Sequence, residues 1–438
     1  MKPLVTGIAM ALAMQGVCAE NLLEVYALAV QNDPQLAAAQ ASLEATRENA
    51  PIARSRLLPN INATGDVTWQ DVDSESNSDS ALQPSQNEDF WTDRAGIGLV
   101  QPLYRRDRLK QYEQAKTTVA QAEADFVAVE QNLIFRVASA YFQVLATQDT
   151  LEFAQSELKA IARQLDQAKQ RFEVGLIAIT GVHEAQARFD QSRADVISAE
   201  NDVGTAWEAL REIIGQMGPN ELASLVDEIP LKVPEPANLD AWSSLALENN
   251  PSVQAAREAA EIARQEIEVQ RSGHFPSLDL VANYDLRRSD AERGLDTDIL
   301  SAAVQLAVPI YAGGGVTAST RQAQFNFDAA QQELERQLRA TDKDVRDAYR
   351  QAELSISRVR ALQSTTVSAE SALEATEAGF EVGTRTLVDV LNRQSELFSA
   401  KRDYSNARYL YVLNFLALKQ AAGDLTVDDL EKVNAWLE

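Results

Sequence analysis

Few side chains in this 438-residue chain have the types and spacings that catalysis needs. His183 and His274 are its 2 histidines. They lie far apart in sequence and lack the i, i+4 or cysteine-partner spacing of a metal site. Gly313 to Gly315 precede a helical run as a phosphate cradle would, but no Lys-Ser/Thr follows, and the stretch reads as a flexible junction. Serine and carboxylates abound without a nucleophile elbow or a paired acidic motif. No catalytic residue, metal ligand set or cofactor is therefore expected, and the chain does not read as an enzyme. What remains is a charge pair, Arg385 and Asp389, one helical turn apart behind the second of two copies of "FEVG" (Phe172 to Gly175 and Phe380 to Gly383).

Composition narrows the class of protein that could use such a pair. The formal net charge of −25 repels nucleic-acid backbones, and no Lys/Arg cluster is large enough to offset it. Aromatics are 6% and alanine is used heavily, which suits narrow helix seams better than thick cores. Residues 1–19 carry a Lys, a short apolar run and the small pair Val17 and Ala19, the pattern of a secretory signal cleaved after Ala19. The single cysteine, Cys18, would leave with it; Val17 and Gln15 fit poorly before a lipid-modified cysteine. No later stretch is apolar enough for a transmembrane helix, so an exported chain that crosses a membrane must do so as a barrel.

The elements that position the two "FEVG" segments are duplicated. Pro34 to Pro251 and Pro59 to Pro276 are each separated by 217 residues, and Gly175 to Gly383 and Gly215 to Gly423 each by 208. The main length change is confined to the stretch between Pro59 and Pro102, which contains the acidic, Ser-rich "DVDSESNSDSALQPSQNEDF". No Pro or Gly occurs from Asp107 to Val174 or from Val316 to Ala378, so each copy contains an uninterrupted helix with heptad-spaced apolar and small residues. Such a helix is a rod of roughly 100 Å, and shorter helices placed end to end must run beside it. Each "FEVG" glycine ends an outbound rod and marks a hairpin tip.

Four segments alternate with period two, near 60–72, 93–104, 276–288 and 299–311, and each borders a proline: Pro59, Pro102, Pro276 and Pro309. Trp69, Trp91, Tyr104, Tyr284 and Tyr311 are placed where an interfacial girdle would form. Four strands cannot close a barrel without edges, so the chain must associate with copies of itself, and the polar faces favour three copies around an aqueous lumen.

At "AENLLEVYALAVQNDP", "RSRLLPNI", "GHFPSLDL", "FEVGLIAIT", "PIYAGG" and "EAGFEVGTRTLVDVLN", in that order and at duplicated spacing, the chain resembles the TolC-type outer-membrane channels of multidrug efflux and type I secretion. The resemblance implies a mixed fold, a membrane β-barrel plus a long coiled-coil α-barrel. Three protomers, each with four strands and long helices in two tandem repeats, would close a twelve-strand barrel and a twelve-helix periplasmic tunnel. The implied division is a signal peptide (1–19), a first repeat (20–215, tip near 172–181), a Pro-rich equatorial connector (216–240), a second repeat (241–423, tip near 380–392) and an equatorial C-terminal segment (424–438). It also implies a homotrimer in outer-membrane lipid that docks a periplasmic adaptor and, through it, an inner-membrane pump. The tip segments Val174, Gly175, Leu176 and Val382, Gly383, Thr384 resemble the family's adaptor-contacting residues.

The same resemblance places a gate at the tips. Asp389 matches a position lining the periplasmic constriction, where three copies would form a carboxylate ring that attracts cations. In the family a tip arginine and a tyrosine are tied to a Thr-Asp pair on the neighbouring hairpin, and a second aspartate ring lines the entrance. Here Arg385 and Thr180 remain, but Gly181 stands for the aspartate, Phe380 for the tyrosine and Asn392 for the second ring. A weakened tie is expected, Arg385 facing Thr180 or a backbone carbonyl for on the order of 1 kcal/mol. The rival reading from another class is a soluble periplasmic coiled-coil adaptor or scaffold; it leaves the four proline-bounded strands unexplained.

Overall fold

The computed structural model describes residues 20–74, 86–216, 221–291 and 294–438. The signal segment with Cys18, and much of the acidic Ser-rich stretch, lie outside the described residues. In chain order the elements are α1 (Leu22–Asn32), α2 (Pro34–Arg47), α3 (Asn49–Ser55), β1 (Asn60–Ser74), β2 (Gln86–Tyr104), α4 (Arg106–Glu173), α5 (Ile179–Ile214), α6 (Leu239–Asn249), α7 (Pro251–Arg271), β3 (Ser277–Ser289), β4 (Thr297–Ala307), α8 (Gly315–Glu381), α9 (Leu387–Ala422) and α10 (Val427–Asn434). The duplication is visible element by element. α1 and α6 are 11 residues each, α5 and α9 are 36 each, and α4 and α8 are 68 and 67. Prolines open α2 and α7, where a missing N–H costs nothing because the first turn has no acceptor for it. Two strand boundaries differ from the sequence expectation. β2 begins at Gln86, earlier than 93, and β4 ends at Ala307 rather than 311 because Pro309 cannot donate to the ladder.

The chain divides into two compact units. One comprises residues 41–125 and 254–337. Its sheet has the order β1-β2-β3-β4, antiparallel throughout. Successive rows across the sheet differ in kind. Ala63, Ile97, Tyr284 and Leu300 stand side by side, as do Ile61, Leu99, Ala282 and Ala302, whereas the alternate rows read Asn62, Gly98, Asn283, Ser301 and Asp66, Arg94, Arg287, Thr297. One face is therefore apolar and the other wet. Gly96 keeps the wet face uncrowded, since a Cβ there would stand 2.8 Å from the Asp285 carboxylate. At the helical end of the sheet Arg105 clasps Asp279 with two hydrogen bonds of 3.1 and 2.6 Å, and Arg106 pairs with Glu268 at 3.1 Å. Pro102 sits where the β2–β3 register shifts, the ladder's way of accommodating a residue without an N–H.

The other unit comprises residues 20–40, 126–253 and 338–438 of the described chain. Its core gathers Val137, Tyr141 and Phe142 of α4, Leu22 and Val25 of α1, Leu210 and Ile214 of α5, Leu416 of α9 and Leu430 of α10, all essentially buried. Each such large side chain contributes about 2 kcal/mol by leaving water. The buried Tyr141 hydroxyl donates to the Ala223 carbonyl at 2.7 Å, and Asp33, 3% exposed, accepts from Arg136 at 2.6 Å and from the Leu36 N–H at 2.9 Å. Asp429, 1% exposed, is held by Lys419 and Lys432 at 3.0 Å each while it caps α10 through Thr426. Among the described residues no helix is long and apolar enough to cross a membrane.

Candidate functional site: the hairpin tips

Both tips are built by the same backbone device. At the first, the N–H of Gly175 donates to the Phe172 carbonyl (2.9 Å) and that of Leu176 to Arg171 (2.8 Å), with Gly175 at φ +75°. At the second, Gly383 donates to Phe380 (3.1 Å) and Thr384 to Gly379 (2.8 Å), with Gly383 at φ +81°. Positive φ makes glycine the natural helix terminator at both. A Cβ on either glycine would meet nothing within 4 Å, so each lies in open space rather than in a packed corner. Val174, Leu176 and Val382 beside them are 70%, 74% and 76% exposed, an unusual condition for apolar side chains.

Beyond the glycines the tips diverge. α9 begins with a capping box in which the Thr386 N–H and hydroxyl donate to the Asp389 carboxylate (2.9 and 2.8 Å) and the Asp389 N–H returns a bond to Thr386 (3.2 Å). These donors, first the Thr386 N–H, then its hydroxyl, with Arg385 and Arg393 nearby, hold the Asp389 carboxyl below the usual aspartate range. The carboxylate expected to serve a ring thus also caps a helix. The N-cap of α5 is Ala178, whose side chain can cap nothing, and Gly181 lies in the first turn that follows.

A groove of about 730 Å³ separates the tips; Thr180, Gly181, Glu184, Phe380 and Arg385 all line it. Four of the positions expected to form a gate, Thr180, Gly181, Phe380 and Arg385, thus share one groove, whereas Asp389 and Asn392 do not line it. Within the protomer Arg385 makes no hydrogen bond to Thr180; its stem lies over Gly379, where a Cβ would come within 2.8 Å of the Arg385 Cγ. The two other positions that depart from the family pattern are each met by an arginine of the first hairpin. The Arg171 guanidinium stands 4.4 Å from the centre of the Phe380 ring, and Arg188 donates to the Asn392 side-chain carbonyl at 2.7 Å. A small apolar cluster of Ile161, Leu165, Ala168, Ala185, Leu387 and Leu391 lies behind them. Sequence reasoning missed both arginines because the partners are over two hundred residues away. The Thr386-x-x-Asp389 box was readable as a helix-start signature. Among the described residues no group of His, Cys, Asp or Glu could hold a metal ion.

Known proteins place this architecture. The family model described as outer membrane efflux protein matches residues 25–216 and 242–424, the two repeats in turn. The chain is 42% identical over 441 residues to the outer membrane protein TolC of Vibrio cholerae, covering all of this chain and 98% of that protein. It is 34% identical to TolC of Escherichia coli, over 95% of this chain and 85% of that one, and 31% identical to the alkaline protease secretion protein AprF of Pseudomonas aeruginosa, over 95% and 87%. In fold it is similar to the CmeC outer membrane channel of Campylobacter jejuni, with a TM-score of 0.80 at 17% identity, covering 96% of this chain and 90% of that one. The chain therefore belongs to the outer membrane efflux protein family as an outer-membrane channel protein of the TolC type.

Proposed function

We propose that three copies of this chain form a passive exit duct through the outer membrane, fed by a periplasmic adaptor and an inner-membrane pump and closed at rest by the hairpin tips. The observation that carries the reading is the four-strand sheet: one apolar face, one wet face, and an edge at β1 and at β4 whose backbone groups must find partners in lipid. Strands of 13 and 11 residues in β3 and β4 are long enough to span tilted. Pairing β4 of each copy with β1 of the next supplies those partners. A heat-modifiable trimer in the outer-membrane fraction that conducts ions in a planar bilayer is the expected result. Release of a monomer by osmotic shock would overturn the reading in favour of a periplasmic scaffold.

The adaptor would dock on the open glycine corners, Val174 to Leu176 and Val382 to Thr384, where a partner helix can approach the backbone closely. The gate would involve Thr180, Gly181, Phe380, Arg385, Asp389 and Asn392. Its tie through Arg385 is weak, since Gly181 offers no carboxylate and Phe380 no hydroxyl. The bond from Arg188 to Asn392 and the seat of Arg171 on Phe380 join second hairpin to first near the tips, beside the apolar cluster of Ile161, Leu165, Leu387 and Leu391.

A further inference from the structure

The distribution of charge around the sheet is uneven in a way that the duct does not require. The chain as a whole has 40 Lys and Arg against 65 Asp and Glu. Yet in the three six-residue windows where helix meets strand, 54–59, 105–110 and 271–276, there are 7 Lys and Arg against the single carboxylate of Asp107. Most of these cations have carboxylate partners elsewhere: Arg105 with Asp279, Lys110 with Glu113, and Arg106 and Arg271 sharing Glu268. Arg54, Arg56 and Arg108 do not. Arg108 donates to the backbone carbonyl of Arg56 at 2.7 Å, and Arg56 to the side-chain carbonyl of Gln111 at 3.2 Å. Among the described residues neither guanidinium meets a carboxylate, so two positive charges are held side by side on neutral acceptors with N–H groups to spare.

Their neighbours are those of a membrane interface. Leu58, Leu103 and Tyr104 are exposed at the same strand ends, and Phe275 lies beneath Arg106 at 4.2 Å. Apolar and aromatic side chains beside cations at the rim of an apolar sheet face match the boundary where acyl chains give way to phosphates. In the outer-membrane reading this rim, on the helical side of the sheet, lies at the periplasmic leaflet.

We propose that Arg56 and Arg108 form a binding site for the phosphate of an anionic phospholipid in the periplasmic leaflet. The inference rests on the outer-membrane reading and adds a lipid preference to it. Guanidinium groups held by neutral partners are free to take a phosphate oxygen in a charge-assisted, forked bond, and each basic residue at such a surface adds attraction for anionic lipid.

The test uses the purified native trimer in nanodiscs made of phosphatidylethanolamine with phosphatidylglycerol, with retained lipid counted by native mass spectrometry. Phosphatidylglycerol should be retained in preference. In the Arg56→Gln, Arg108→Gln variant its affinity should fall about thirty-fold, the change that two basic residues contribute at about 1 kcal/mol each, whereas Arg56→Lys, Arg108→Lys should keep most of the preference. Arg56→Gln alone, on an exposed side chain, should lower it about five-fold and reads the site even where the double variant fails to trimerise. Equal retention of the two lipids by the native trimer, or an undiminished preference in a folded glutamine variant, would overturn the proposal. A native protein that enters no bilayer would overturn the outer-membrane reading and the site with it.

Discussion

Asn392 offers the sharpest test of how the tips are held. In the structure its side-chain carbonyl accepts from Arg188 at 2.7 Å, a charged donor on a neutral acceptor, with both side chains partly in water. Exposed contacts of this sort contribute about 0.7 kcal/mol, and three symmetric copies in a trimer about 2 kcal/mol, roughly thirty-fold in the ratio of closed to open channel. Asn392→Leu removes the acceptor and should raise open probability in single-channel recordings by about that factor. Asn392→Asp places a carboxylate at the same distance from Arg188, turns the bond into an ion pair and should close the channel further, by a margin that shrinks as salt is added. A ring of new carboxylates would change conduction by itself, so the deciding measurement is a cycle with Arg188→Gln. On that background Asn392→Asp should give no added closure, because nothing is left for it to hold. If Asn392→Leu conducts as the native channel does, or if the closure from Asn392→Asp survives loss of Arg188, the two hairpins are not latched here and the reasoning fails.

Asp389→Ala should reduce cation preference, read as a smaller reversal potential in a salt gradient, while Thr386→Ala should leave that potential intact and cost about 1 kcal/mol of helix-start stability. Because Thr386 holds the Asp389 carboxyl low, the cation preference should persist as pH falls through the ordinary carboxylate range and vanish only below it; loss at the ordinary aspartate value would show that the cap is open in the working channel. A bulky residue at Gly175 or Gly383 should abolish drug efflux while trimers remain in the membrane, since each site is open and only its φ is strained; normal resistance in both variants would remove the docking role. Burial alone would raise the Asp429 carboxyl, but bonds from Lys419, Lys432 and Thr426 outweigh it and hold it below its ordinary value. Its folded value lying below the unfolded one, it stabilises the fold above the unfolded pKa and loses that contribution as pH falls toward the folded value. Asp429→Asn should accordingly lower the denaturation midpoint at neutral pH and flatten its decline in acid, as followed by circular dichroism.

How much of this was readable in advance depends on how local the cause is. The tips were legible because a helix ending at a positive-φ glycine needs only Gly175 and Gly383, and the strands because side-chain alternation and the flanking prolines are local. β4 was drawn four residues too long because Ile310 and Tyr311 continue the apolar look of a strand past Pro309, where the backbone can no longer pair. The proposed gate is only half legible in the sequence. Residue types at 180, 181, 380, 385 and 392 suggest a weakened tie, but not that Arg171 and Arg188 of the first hairpin reach Phe380 and Asn392. Asp389 was read as a pore charge alone, although Thr386 three residues earlier announces a cap.

The matched helix lengths, 36 and 36 in α5 and α9, 68 and 67 in α4 and α8, restrict where this sequence can grow or shrink. One residue inserted in a long helix advances its tip by about 1.5 Å and turns it by about 100°. That would carry a glycine corner off the level of its counterpart and swing its seam residues out of their groove. Even seven residues, which restore the facing, would have to enter outgoing and returning helices of both repeats together. Insertions and deletions are thus confined to the segment between β1 and β2 and to the connector before α6. The long helices act as a pair of matched rulers, and descendants of this chain can change their length only in concert.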